Sequence, residues 1–438
     1  MAAADVSPPD EVPPEPPDRA HRSALLIVFL VVFIDLLGFG IVMPLLPRIA
    51  KHFLPGGEAS PWAGPVIGSL MASFSAMQFI FAPIYGRISD RIGRRPILLL
   101  GLGTSVLFYI LLGVGCMIGL QGDAQLGLIL LFVARIGAGI SGATIGTAQA
   151  VIADSTTPER RSRGMALIGA AFGIGFTFGP LIGYLGLALT DGNLAGPGFM
   201  AAGLSLLAFL LGVAILPETL RPGSEATHRR WLDWQGLRIV LDTPTLGLLI
   251  LMYFMATFSF AMFEPTLVLL LDTPGLKLDE QRSFLVFTYV GLVLALAQGL
   301  LYRRLAAKWG ETRFMLCGAL LMVVGLAGIG WLTGMSEQAD AASFSSLLLA
   351  LLGVLAVAVT GFAFMTPSVQ ALISRRGDPT RQGEILGVNQ SANAMARILG
   401  PPVGTSLYYA TSTHMLPYLL GACLLLLVFG FTFRIREA

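Results

Sequence analysis

Twelve long apolar runs fill nearly the whole chain, and they constrain its fold more than any other feature. Each run is long enough for an α-helix to cross roughly 30 Å of hydrocarbon, which takes about 20 residues. Hydrophobic residues make up 55% of the chain and charged residues only 12%. We predict an all-α polytopic membrane protein of twelve transmembrane helices, over residues 22–47, 63–85, 96–118, 126–153, 163–189, 197–216, 244–271, 283–302, 313–333, 344–373, 383–410 and 414–434.

Positive charge divides unequally between the two sides of the predicted membrane. Of the 28 Lys and Arg residues, 22 fall on the side that holds both termini and 4 on the other, while Arg135 and Arg397 fall inside spans. Because cytoplasmic loops collect Lys and Arg, we predict that both termini are cytoplasmic, in an inner or plasma membrane. The Pro-rich, acidic residues 1–21 lack the order of a cleaved signal and are predicted to be a disordered cytoplasmic tail.

The second half of the chain repeats the first. Adding 221 to a residue number carries Pro44 to Pro265 and Gly179-Pro180 to Gly400-Pro401. The polar segment 217–243 separates the spans six and six, so we predict an N-terminal half over 22–216, a cytoplasmic linker, and a C-terminal half over 244–438. Parallel repeats of this kind place a transport pathway between the halves, near the middle of the membrane.

The loop between spans 2 and 3 carries an ordered charge motif, Gly86-Arg87-Ile88-Ser89-Asp90-Arg91-Ile92-Gly93-Arg94-Arg95. A glycine lets helices approach closely, an acid suits a helix N-terminus, and arginines suit carboxylates. We predict a cytoplasmic gate that favours the outward-open state, with Asp154 at the end of span 4 as partner of one arginine. The residues of this predicted gate are Gly86, Asp90, Arg91, Gly93, Arg94, Arg95 and Asp154. The alternative is a basic loop that only sets topology.

Span 5 carries closely spaced glycines and a proline, in Gly173-Ile174-Gly175-Phe176-Thr177-Phe178-Gly179-Pro180-Leu181-Ile182-Gly183-Tyr184. Gly175, Gly179, Pro180 and Gly183 are candidate functional residues. The alternative is a kinked helix whose small residues pack tightly on a neighbour.

These motifs resemble those of a known transporter family. The loop is similar to the major facilitator signature GxxxDRxGRR, and span 5 is similar to the signature of the drug:proton antiporters. With the stretches Phe33–Pro47 and Arg135–Thr144, the chain resembles the tetracycline-efflux branch, and around Leu216–Leu220 also the tetracycline-transporter-like proteins of animals. The resemblance implies a major facilitator fold of two six-helix halves, and proton-coupled efflux of amphiphilic organic molecules, drugs or organic anions among them, by alternating access.

Four charged residues lie well inside predicted spans: Asp35, Arg135, Glu264 and Arg397. An isolated charge at the centre of a membrane helix costs at least about 2.5 kcal/mol, so such residues face a cavity, pair with one another and mark substrate or proton paths. We predict that Asp35 is the main proton carrier and that Arg135 and Glu264 take part in proton coupling. A static ion pair between spans 1 and 4 is the alternative.

A polar stripe on span 11 is the strongest indication of a substrate site. Asn389, Asn393 and Arg397 recur every four residues and therefore share one helix face. An arginine with two amides suits an anionic or zwitterionic group, and aromatic side chains suit the apolar body of a substrate. The predicted aromatic residues are Phe39, Phe172, Phe176, Tyr253, Phe260 and Phe263. A purely structural stripe is the alternative.

The sequence offers no phosphate-cradling loop, metal-ligand cluster or nucleophile beside a base, so we predict no enzyme activity, no cofactor and no metal. A net charge of +2 does not favour nucleic acid. The expected partners are a small amphiphilic substrate, protons and the lipid bilayer, and the expected state is a monomer. Alternative functions on the same fold are a passive facilitator or a proton-driven nutrient importer, and a receptor or scaffold that transports nothing.

Overall fold

The computed structural model describes residues 18–57, 60–156, 158–220, 243–337, 343–377 and 381–436, without the side chains of 18–24, 27, 35, 158–170, 172, 244, 307, 382–383 and 433–436. Residues 1–17 of the predicted tail and residues 221–242 of the predicted linker lie outside these ranges, whereas residues 18–21, predicted to be disordered, are helical. The helices are α1 Asp18–Val42, α2 Leu46–Phe53, α3 Ala63–Ile92, α4 Arg94–Leu120, α5 Ala124–Ser141, α6 Ile145–Ser155, α7 Pro158–Leu189, α8 Gly196–Ile215, α9 Pro244–Leu270, α10 Glu280–Leu296, α11 Arg303–Trp309, α12 Glu311–Ser336, α13 Phe344–Arg376, α14 Gln382–Tyr409 and α15 Leu416–Arg436.

These helices make twelve spans within the described ranges, which confirms the predicted fold class. Eight are long and apolar enough to cross a membrane, counting α5 with α6 and α10 with α11 as one each, and α1 with α2 makes a ninth, bent by 46°. Shorter apolar stretches lie in α7 and α15. The remaining span is α14, whose polar stripe lowers its hydropathy.

Several span boundaries differ from the sequence prediction for local reasons. The first span begins at Asp18 rather than 22 and breaks after Val42, beside Pro44. Span 4 breaks between α5 and α6 at Gly142, whose amide caps α5. Span 8 continues through a π-helical turn, Ala297–Tyr302, into α11. A π-helical turn inside a span frequently marks a functional site.

The two halves meet along two helix pairs, α3 with α14 and α7 with α10. In the first pair, the Thr405 hydroxyl donates to the Gly64 carbonyl at 2.6 Å. In the second, the Thr177 hydroxyl donates to the Gly291 carbonyl at 2.9 Å. We call the side that holds the loop 87–95 the basic face and the side that holds α2 the opposite face. These hydrogen bonds lie at mid-membrane and towards the opposite face, so this conformation is closed there.

Candidate functional site

The predicted antiporter motif on α7 packs directly against α1, the helix that carries Asp35. A Cβ atom on Gly179 would lie 2.8 Å from the Cα of Gly40, and a Cβ on Gly175 would lie 2.8 Å from the Cβ of Leu36. Gly183 faces Phe284 of α10, in the other half. Pro180 lies inside α7. The motif therefore joins α1 to α7 and also lies at the boundary between the halves.

At the basic face, Arg94 brings together two of the predicted gate acids. Its Nε donates to Asp154 Oδ2 at 3.3 Å, and its Nη1 contacts Asp90 and the Ser89 hydroxyl. Arg91 is exposed. A cavity of about 190 Å³ lies beside this cluster, lined by Gly86, Asp90, Arg94, Gly146, Ala150, Ala153 and Asp154.

Gly86 does not serve the close helix contact that the sequence suggests. A Cβ atom on Gly86 would meet nothing within 4 Å, because this residue lines the cavity. Gly93, by contrast, has a φ of 112°, a conformation that favours glycine, and a Cβ there would collide with the Glu218 carboxylate. Gly93 is thus the glycine that the turn requires.

Glu218 contacts the loop of the predicted gate and was not among the residues predicted for it. Its carboxylate accepts hydrogen bonds from the backbone N–H groups of Arg94 and Arg95 at 2.9 and 3.1 Å, at the N-terminus of α4. The N–H groups of Thr219 and Leu220 donate to it as well. Partial burial raises the pKa of Glu218, but the four N–H donors outweigh burial and hold this pKa below its usual value. The acid at a helix N-terminus is therefore Glu218, while Asp90 pairs with Arg94. An acid directly after a long apolar helix is the signal that could have indicated it.

Replacing Glu218 by Gln is expected to lower the free energy of unfolding by about 1 kcal/mol at pH 7, as for a lost helix cap. Because the folded-state pKa lies below the unfolded value, the stabilisation is present above the unfolded pKa and is lost as the pH falls through the folded pKa. Thermal unfolding of both proteins between pH 7 and pH 3 checks this. The difference should shrink towards acid, whereas Asp191→Asn in an exposed loop should change little. A difference that is independent of pH would contradict the role of the charge.

The C-terminal half carries the corresponding ion pair with its charges exchanged. Gly310 begins α12 with a φ of 79°, as Gly93 begins α4. Glu311 and Arg375 then pair at 2.8 Å in the places that Arg94 and Asp154 occupy in the first half. Adding 221 carries residue 154 to 375, but Gly93 and Gly310 are only 217 apart. That shorter spacing hid the pair in the sequence.

Arg135 is buried among aromatic rings. It is only 1% exposed, and its Cζ lies 4.8 Å from the ring centroid of Phe74 and 5.6 Å from that of Phe39. Its guanidinium nitrogens have no hydrogen-bond partner among the described residues. The side chain of Asp35 lies outside the described part of α1, so the predicted pair between Asp35 and Arg135 stays a prediction. Among the described residues, the π-faces of the two rings and the electrostatic effect of Tyr109 stabilise this buried cation.

Glu264 and Arg397 interact electrostatically across α9 and α14, in the C-terminal half. The described residues include both side chains and show no direct ion pair between them. Arg397 is exposed while Glu264 is half-buried. Glu264 and Arg397 thus interact electrostatically without a direct hydrogen bond between them. The guanidinium N–H groups of Arg397 can therefore donate to another partner.

The amides of the polar stripe are not satisfied. Asn389 is 2% exposed, and its Oδ1 has no donor among the described residues; the same holds for Asn393 Oδ1. Gln390, which the sequence analysis did not assign, adds an exposed amide on the Arg397 side of the helix. These oxygens are available to accept a hydrogen bond from a group outside the described residues.

Predicted aromatic residues form a cluster in each half, and the side chain of Phe172 lies outside the described residues. Phe260 stacks on Phe362 of α13 with ring centroids 4.0 Å apart, and Phe263 lies 5.6 Å from Phe260. Phe39 packs on Phe74 in the N-terminal half at 5.4 Å. The Phe176 side chain is half-buried and packs against the core.

Tyr253, one of the predicted aromatic residues, makes a hydrogen bond that the sequence analysis did not predict. Gln370 Nε2 of α13 donates to its hydroxyl oxygen at 2.8 Å, and Arg397 acts on it electrostatically. With its oxygen accepting from Gln370, the phenol is left with its own O–H to donate. The C-terminal half therefore offers at least two donors that act on one another electrostatically, the Arg397 guanidinium and the Tyr253 phenol.

Known proteins share both the sequence and the fold. A family profile described as Major Facilitator Superfamily matches residues 28–401. The chain is 31% identical to the class E tetracycline resistance protein of Escherichia coli over 390 residues, 88% of each chain. It is 27% identical to major facilitator superfamily domain-containing protein 10 of Mus musculus over 92% of this chain and 91% of that one. The crystal structure of the human organic anion transporter MFSD10 covers 95% of this chain and 100% of that one, with 26% identity and a TM-score of 0.62.

A D-xylose–proton symporter shares only the fold, with 16% identity and a TM-score of 0.72 over 94% of this chain and 97% of its own. The relatives are transporters, not enzymes, in agreement with the sequence prediction. The family assignment made from the motifs is likewise confirmed. The protein is an integral, multi-pass membrane transporter and belongs to the major facilitator superfamily, with the tetracycline resistance proteins and MFSD10 among its relatives.

Proposed function

We propose that this protein exports amphiphilic organic anions by proton antiport, with both termini in the cytoplasm. The observation that carries the proposal is the C-terminal site, where Arg397 acts electrostatically on Tyr253, and Tyr253 lies about two helical turns from Phe260, which stacks on Phe362. A guanidinium and a phenol suit a carboxylate, and a stacked aromatic pair suits the apolar remainder of a substrate. The tetracycline resistance proteins and the organic anion transporter MFSD10 support this substrate class.

Proton coupling in this account uses the N-terminal half. Asp35 lies on α1, and α1 packs through Gly40 on the glycine stripe of α7. Protonation of Asp35 removes a charge from this helix pair, so the contact with α7 and with the buried Arg135 changes in energy. Glu264 provides a second carboxyl that responds to Arg397 and thereby to the bound anion. The two halves are the repeated units 22–216 and 244–438, joined by the linker 217–243, in a monomer.

We assign this conformation as inward-facing. Contacts join the two halves towards the opposite face, and the basic face is the proposed cytoplasmic side. The Arg94 cluster is then assigned to the gate that closes at the cytoplasmic side in the outward-open state. Arg94 is already paired with Asp90 and Asp154 within the N-terminal half. Closing the gate therefore requires only that the C-terminal half approach this cluster.

The test is flux into inverted, reconstituted vesicles with an imposed pH gradient, acidic inside. An aromatic carboxylate and its neutral amide serve as matched probes. We expect the carboxylate to accumulate against its own gradient and a protonophore to abolish this accumulation. Equilibration that ignores the pH gradient would show a facilitator, and accumulation only in right-side-out vesicles with acid outside would show an importer.

A further inference from the structure

A small set of polar contacts joins the two halves at the opposite face, where neither the sequence motifs nor the proposed function assigns a role. On the N-terminal half the contacts come from α2, through Arg48 and Lys51. On the C-terminal half they come from the segment 271–280 between α9 and α10. We propose that these contacts form a latch that holds the pathway closed at the opposite face, and that breaking it sets how often the pathway opens there. The inference rests on alternating access, but not on the substrate or on proton coupling.

The latch has a buried member and a partly exposed member. Arg48 is 6% exposed; its Nη2 donates to the Leu278 carbonyl at 2.6 Å, and its Nη1 lies 3.8 Å from Glu280 Oε1. Lys51 Nζ lies 2.7 Å from Asp272 Oδ2. A hydrogen bond donated by a buried charged group contributes more to stability than a partly exposed ion pair does. Arg48 is therefore expected to dominate, and Lys51 to add a smaller share.

The internal repeat explains where the Lys51–Asp272 pair lies. These residues are 221 apart, the same spacing that relates Pro44 to Pro265. Equivalent positions of two repeated halves come into contact only near the axis that relates the halves. A strictly repeated residue would place like charges there, but lysine and aspartate place opposite charges. Divergence of the repeat at this position thus turns a repulsive contact into an attractive one.

Each side of the latch is fixed to its own half. The segment 271–280 is tied to α12 by the Gly275 N–H, which donates to the Ser336 carbonyl at 2.9 Å, and its own shape is held by the Leu278 N–H, which donates to the Leu271 carbonyl at 2.9 Å. On the other side, Phe53 of α2 fills the space beside Gly119 of α4. Separation of the halves must therefore break the contacts between them, because neither side can extend to follow the other.

Labelling of a buried reporter measures opening without any substrate. The reporter is Thr405→Cys on α14, a 0% exposed position at the boundary between the halves, opposite Gly64 of α3, in a background where Cys116, Cys317 and Cys423 are serine. A membrane-impermeant maleimide is added at the opposite face. We expect Lys51→Gln or Asp272→Asn to raise the labelling rate about two- to fivefold, and Arg48→Gln about tenfold or more. Arg282→Gln, which removes a pair within one half, should leave the rate unchanged.

The charge exchange Lys51→Asp with Asp272→Lys provides the decisive control. Because the two positions are equivalent, the exchanged pair should restore slow labelling, while Lys51→Asp alone should label fastest of the position-51 variants. The latch would be overturned if the single variants left the labelling rate at position 405 unchanged, or if the exchanged pair did not restore slow labelling.

Cross-linking tests the same latch in a protein that keeps its fold. A Lys51→Cys, Asp272→Cys protein is treated with a short, reducible bifunctional thiosulfonate. Slow labelling at position 405 and arrested transport, both reversed by reductant, are expected. Transport that continues in the cross-linked protein would contradict the latch. If the labelling rates follow the expectations above but transport is not coupled to protons, only the proposed function is rejected.

Discussion

Replacing Arg397 by Ala is expected to lower transport of an organic anion about 10- to 100-fold, the loss that follows removal of a charged hydrogen-bond partner. The reason is that Arg397 is the exposed cation of the C-terminal site and makes no direct ion pair with the described residues that would occupy its donors. Initial rates for the aromatic carboxylate and for its neutral amide measure the effect. Transport of the amide should fall much less.

Two variants control for indirect effects of that change. Arg397→Lys keeps the charge but loses the planar fork, so we expect an intermediate rate for the carboxylate. Arg282→Ala removes an arginine at the opposite face and should leave the rate alone. An Arg397→Ala protein that transports both probes at the original ratio would show that Arg397 does not contact the substrate anion.

Replacing Gly179 by Val is expected to stop transport and to lower the free energy of unfolding by about 1–3 kcal/mol, the usual cost of overpacking. A Cβ atom at this position meets the backbone of Gly40 at 2.8 Å, and backbone cannot yield as a side chain can. The two helices must then move apart, which displaces α1 and the Asp35 that it carries. Thermal unfolding in detergent and transport in vesicles measure the two effects.

Gly173→Ala is the matched control on the same helix. A Cβ atom at Gly173 would meet nothing within 4 Å, so stability and transport should stay near their original values. Equal damage from both substitutions would mean that α7 needs glycine for flexibility rather than for its contact with α1. Unimpaired transport in Gly179→Val would remove the packing role altogether.

Local patterns in the sequence predicted the fold well because membrane helices are specified by local composition. A run of about 20 apolar residues is sufficient to identify a span, and the repeat of Pro44 at Pro265 needs no knowledge of contacts. Breaks inside spans were harder to predict than the spans themselves. The π-helical turn after Leu296 contains no proline and no charge, so the sequence gives no signal for it.

The candidate site was predicted in part, and the missing residues share a physical reason. Asp90, Arg94 and Asp154 could be found because two of them lie in one motif and the third at a helix end. Glu218 lies 124 residues from Arg94, and Gln370 lies 117 residues from Tyr253. Such contacts depend on how helices pack, and no local spacing encodes them. The roles of these residues in transport stay predictions.

The central claim, proton antiport through Asp35, is tested most directly by proton movement that the substrate alone drives. Vesicles hold a pH-sensitive dye, start with equal pH on both sides, and receive an outward gradient of the aromatic carboxylate. If Asp35 carries the proton, we expect proton entry coupled to carboxylate exit in the original protein. In Asp35→Asn we expect carboxylate movement without proton entry. Proton entry of equal size in both proteins, or none in either, would contradict it.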